Sequence, residues 1–144
     1  MLVVAISPST QSAIGALRDV ADRHGRNARI AEESSPWEEL DPYDPPTYEA
    51  IVVVDGAPQI EVRLYAHEED RIEIDDVVSF DVDREHVPAF VDAVLRGNVS
   101  IKSVTFPPSA TLRIHLTGDV VYQEGLTYPD LLGGKGWIST VRSA

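Results

Sequence analysis

The densest polar group in this chain is His67-Glu68-Glu69-Asp70. A helical zinc-protease pattern needs a second histidine four residues from the first, so that both ligands share one helix face. This run has one histidine and reads as a charged turn. Calcium loops alternate oxygen ligands around a glycine, and no glycine stands here. Asp81, Asp83, Glu85 and His86 form the next group. Strand alternation places Asp81 and Asp83 on one face with His86 available as a base. Asp83 and Glu85 also suit the start of a helix, as N-cap and as a negative charge at the positive end of the dipole. His115, with Arg113 two residues before it, is the histidine best placed for catalysis, in mid-strand on a polar face. His24 precedes Gly25 and reads as a helix C-terminal residue.

Other chemistries are excluded or unframed. There is no cysteine, which removes disulfides, thiolate metal sites and thiol catalysis. No serine sits in a glycine-flanked elbow. Leu132-Gly133-Gly134-Lys135-Gly136-Trp137 lacks the spacing of a phosphate loop and reads as a turn before Trp137. No cofactor and no metal are expected.

Charge points elsewhere. The 144 residues carry 24 Asp and Glu against 12 Lys and Arg, a formal charge of −12. Between Glu32 and Asp92 stand 19 acidic and 3 basic residues, while both flanks have a slight basic excess. Such a balance argues against nucleic-acid binding, which needs a basic surface. It fits solubility or salt adaptation, a surface made for a basic protein partner, or carboxylates gathered for chemistry. The second is the favoured reading. It implies a non-catalytic protein-binding module, such as an inhibitor or immunity protein that neutralises a basic toxin or nucleic-acid-acting enzyme.

The residues assigned to partner binding are Trp37, Glu38, Glu39, Asp41, Tyr43 and Asp44 in a proline-rich loop, with Glu61, Glu73, Asp75 and Asp81 on a sheet face. The rings would anchor and the carboxylates steer. The alternative is a small enzyme or ligand-binding domain whose polar site uses His115, Arg113 and His86, in a pocket between loop and sheet. An assembly subunit is the third reading.

These groups need elements to hold them. Leu2 to Ile6 reads as a strand, too short for a signal peptide or a membrane span, so a soluble, cytoplasmic protein is expected. Thr10 to His24 reads as a helix capped by Ser7, Ser9 or Thr10, with Ile14, Leu17 and Ala21 as its apolar stripe. Asn27 to Thr47, with Pro36, Pro42, Pro45 and Pro46, reads as a connector, an ordered loop over about 26–47. Ile51 to Val54 and Ile60 to Tyr65 read as strands joined at Asp55-Gly56-Ala57-Pro58. Ile72 to Asp75 and Val78 to Val82 follow, with a bulge or a tight turn near Asp76. A second helix runs from Asp83 to Arg96 with Pro88 in its first turn. Strands near Val99 to Phe106, Thr111 to Thr117 and Val120 to Tyr122 complete the chain. One domain over 1–144 is expected, of α+β class, with a mainly antiparallel, possibly mixed, sheet and two helices packed on one face. The polar face of that sheet would carry Glu61, Arg63, Tyr65, Glu73, Asp75 and Asp81 together with Lys102, Arg113 and His115.

Overall fold

The computed structural model describes residues 6–31, 48–75, 77–104, 109–126, 137 and 141, with residues 104 and 109 described as backbone. The expected first strand, apart from Ile6, and most of the proline-rich loop lie outside these residues. Helix α1 spans Pro8–Arg23. Ser7 is extended, and its hydroxyl accepts the Thr10 N–H at 3.3 Å, the N-cap arrangement. Pro8 sits in the first turn, where its missing donor costs nothing. Ala13, Ile14, Leu17, Val20 and Ala21 are buried on one stripe, and the chain leaves through Gly25 at φ 65°.

Five strands follow in sequence order as one antiparallel meander: β1 (Ala28–Ala31), β2 (Tyr48–Val54), β3 (Ile60–Tyr65), β4 (Glu69–Ile74) and β5 (Val78–Asp83). A 3-10 turn over Arg84–His86 leads into α2 (Val87–Arg96), which ends on Gly97 in the left-handed conformation. A second antiparallel meander, β6 (Val99–Val104), β7 (Ser109–His115) and β8 (Val121–Gly125), closes the order. The fold is α+β, with two antiparallel sheets and two helices packed against them.

Two sheets replace the single one expected. Alternation fixes which face of a strand is apolar, but it does not name the hydrogen-bonding neighbour. β5 lies beside β8 without joining it in a ladder. The strand β1 replaces the first part of the expected connector and pairs Arg29 with Val53. β4 begins at Glu69, so the charged turn contracts to Ala66–Glu68. Asp75 stands in the β4–β5 turn at φ 52° rather than in a strand.

One contiguous apolar cluster joins the layers. Val52, Val62, Leu64, Ile72, Ile74 and Phe80 of the first sheet meet Leu17 and Val20 of α1, Phe90 and Val91 of α2, and Leu112 and Ile114 of the second sheet. Phe80 and Phe90 pack edge to face at 5.1 Å. No helix among the described residues is long and apolar enough to cross a membrane.

Candidate functional site

The outward face of the first sheet follows from period-two alternation and register. Because Val62, Leu64, Ile72, Ile74, Phe80 and Val82 point into the core, their neighbours in sequence point out. Glu61 pairs with Glu73, Arg63 with Arg71, Arg71 with Asp81, and Glu69 with Asp83. Glu61, Glu73 and Asp81 therefore share one face. Asp75 reaches its rim from the turn, where one carboxylate oxygen accepts the Gln59 N–H at 2.9 Å. Gln59, Glu61, Glu73 and Asp75 line a cleft of about 130 Å³. Carboxylates directly opposite each other on neighbouring strands repel, and Arg63 at 3.5 Å from Glu61 offsets part of this.

The face is not uniformly wet. Ile51 and Val53 point outward from β2 yet are 3% and 4% exposed, and the Arg63 side chain is 16% exposed. Glu69, Arg71, Asp81 and Asp83 are exposed. The accessible part is thus the β4–β5 side, narrower than the whole face expected from alternation.

Asp70 is the main correction to the local reading. It is 1% exposed, not a residue of a surface turn. Its spacing from Ile72 and Ile74 puts it on the core side of β4, and a buried carboxylate persists only with strong partners. Arg84 supplies them through Nε at 2.5 Å and Nη2 at 3.0 Å, and the Tyr65 N–H donates at 2.9 Å. The same guanidinium donates to the Tyr65 carbonyl, Ser9 Oγ and Thr10 Oγ1. Hydrogen bonding to Asp70 outweighs burial and pushes the Arg84 pKa further up. Thr10 also donates to Glu49 at 2.8 Å. The Ser7 backbone N–H and the Thr10 hydroxyl hold the Glu49 carboxyl below its usual range. This network ties the start of α1 to the end of the sheet where three rings gather. Tyr65 stacks on His67 at 5.3 Å, and Tyr48 meets Tyr65 edge-on at 6.4 Å.

The group around His86 differs from the expectation. Asp83 makes no side-chain cap bond, because the 3-10 turn intervenes before α2. Asp83, Glu85 and His86 each bring one ligand-type atom within 4.8 Å of the others, whereas Asp81 stays with the sheet. His86 Nδ1 lies 2.7 Å from the Tyr122 hydroxyl. Burial raises the Tyr122 pKa, which keeps the phenol neutral. His24 is more than a dipole partner: its Nε2 lies 2.8 Å from Asp92 of α2, which also holds Arg96.

Lys102, Arg113 and His115 belong to the second sheet and do not join the acidic face. His115 Nε2 lies 2.7 Å from Ser100 Oγ. Nothing local marks Ser100, which becomes a neighbour only because β6 pairs it with Arg113. Trp37, Glu38, Glu39, Asp41, Tyr43 and Asp44 lie outside the described residues, as does the glycine-rich turn at 132–136. Trp137 is buried in the core cluster. No family model, curated protein or solved structure matches this chain.

Proposed function

We propose that this chain is a non-catalytic module that binds a protein with a basic surface, as an inhibitor or immunity protein does when it occupies the phosphate-binding face of a nucleic-acid-acting enzyme. The observation that carries this reading is the opposition of Glu61 and Glu73 in the register, with Asp75 lining the same cleft. A cationic side chain entering there relieves the like-charge contact, and that relief counts toward binding. Asp81 and Asp83, exposed on the same side, extend the field.

The reading is also supported by how carboxylates and histidines are distributed. Among the described residues Asp70 is the buried carboxylate, and Arg84, not a histidine, holds it. The other acidic groups of the first sheet are spread over its surface, Glu69 and Asp83 at the end where β3 turns into β4 beside Tyr65 and Glu61, Glu73 and Asp75 at the other end, which suits recognition better than acid–base chemistry.

The test is capture from native lysate at moderate salt, native mass spectrometry, and then binding kinetics of the recovered partner. One stoichiometric complex with a basic protein is expected. The triple variant Glu73→Gln, Asp81→Asn, Asp83→Asn should associate about tenfold more slowly at low salt, because charge sets encounter rates. Recovery of free protein alone, or an unchanged association rate in the folded variant, refutes the reading.

A further inference from the structure

The second sheet has an outward face of opposite chemistry. Ala110, Leu112 and Ile114 of β7 point into the core, so Thr111, Arg113 and His115 point out. The register sets Ser100 of β6 and Gln123 of β8 on either side of Arg113, and Lys102 beside Thr111. These outward positions carry a guanidinium, an imidazole, an ammonium, an amide and two hydroxyls, and no carboxylate among the described residues. In a chain with twice as many acidic as basic side chains, that is a local reversal of charge.

Two observations give the face a direction. Arg113 Nε is buried and has no hydrogen-bond partner among the described residues. Most buried donors find an acceptor, and a charged donor left without one costs more than a neutral one. Directly across the ladder, Ser100 Oγ and His115 Nε2 are in contact at 2.7 Å. When the imidazole donates in that pair, the serine hydroxyl keeps its own proton to donate to a ligand on this face. The donors then outnumber the acceptors on this face.

We infer that the outward face of β6–β8 binds a phosphate group carried by a small molecule, with Arg113 as its charged anchor and Ser100, His115 and Gln123 as flanking donors. A tetrahedral oxyanion presents more acceptor oxygens than a carboxylate and uses this donor set more fully. Guanidinium geometry suits such anions. A long polyanion does not fit, since the −12 charge of the whole chain repels it. This site is independent of the acidic face and stands or falls without it.

The experiment titrates the isotopically labelled full chain with inorganic phosphate at constant ionic strength, chloride making up the balance. NMR follows backbone amides and the arginine Nε–H resonances. Saturable shifts are expected at the Arg113 Nε–H, at His115 and at Gln123. Arg113→Gln should weaken the apparent Kd by about tenfold or more, the scale of one charge-assisted hydrogen bond. Arg18→Gln, on the exposed side of α1, should leave it unchanged. Ser100→Ala removes one hydroxyl and keeps the guanidinium, and it should also weaken binding, which keeps the test decisive if Arg113→Gln does not fold. Unsaturating shifts, or the same Kd in wild type and Ser100→Ala or Arg113→Gln, overturn the assignment.

Discussion

Replacing Arg84 by methionine tests whether the Asp70 pair holds α1 to the sheet. The substitution keeps an unbranched side chain and removes the guanidinium. Asp70, 1% exposed, then keeps one described donor, the Tyr65 N–H, while Ser9, Thr10 and the Tyr65 carbonyl lose theirs. Breaking a buried pair from one side costs about 3–5 kcal/mol. At about 2–4 °C per kcal/mol for a chain of this size, the midpoint of thermal unfolding should fall by about 6–20 °C. Urea denaturation gives the free energy, and amide exchange should show the first turn of α1 losing protection. The double variant Asp70→Leu, Arg84→Met should recover a large part of the loss, because no charge is then left buried. A loss below about 1 kcal/mol in Arg84→Met, or a double variant as costly as the sum of the singles, would refute the reasoning.

Asp92 gives a pH test. Burial pushes its carboxyl up, but the His24 hydrogen bond and Arg96 outweigh this and leave it below its usual value. A depressed carboxylate contributes stability that is present above the unfolded pKa, about 3.9, and is lost as pH falls through the lower folded value. Asp92→Asn should therefore flatten the stability curve below about pH 4, as read from urea midpoints. Ser7→Ala removes the N-cap acceptor of α1 and should cost about 0.5–2 kcal/mol by the same assay. Gly15 and Gly97 form a contrast, since an added Cβ meets nothing within 4 Å at either. Gly15→Ala, inside α1, should stabilise by about 0.5–1 kcal/mol, while Gly97→Ala, at φ 80°, should destabilise by about 1–2 kcal/mol. Thermal shifts of opposite sign check the pair.

What could be read from the sequence was what is encoded locally. The helix from Ser7 to Gly25 announces itself by a cap, a stripe and a stop, and β3 by strict alternation from Ile60 to Tyr65. The acidic trio Glu61, Glu73 and Asp81 was legible because period two needs no knowledge of partners. Asp70 was misread, although its phase with Ile72 and Ile74 carried the signal; four polar residues in a row hid it. β1 was missed because Ala28–Ala31 is short and has one strongly apolar residue, Ile30, which is 40% exposed. The division into two sheets and the meeting of Ser100 with His115 depend on register between distant segments. No local pattern supplies that.

The sequence separates its charges, and the fold keeps them separate. The acidic stretch from Glu32 to Asp92 supplies β2 to β5, and the segment after it, with its slight basic excess, supplies β6 to β8. Opposite fields on two sheets would cancel if the sheets shared one face. Packed as distinct sheets, each can act over its own surface, because screening limits exposed charges to about 10 Å at ordinary salt. The two proposed functions then respond differently to salt. A basic protein steered by the acidic face should associate more slowly as salt rises, since its attraction is long-ranged. A phosphate held by Arg113 works against the −12 charge of the whole chain, so a non-competing salt that screens this repulsion should weaken its binding less. Measuring both dependences on the same protein separates a steering surface from a short-range donor site.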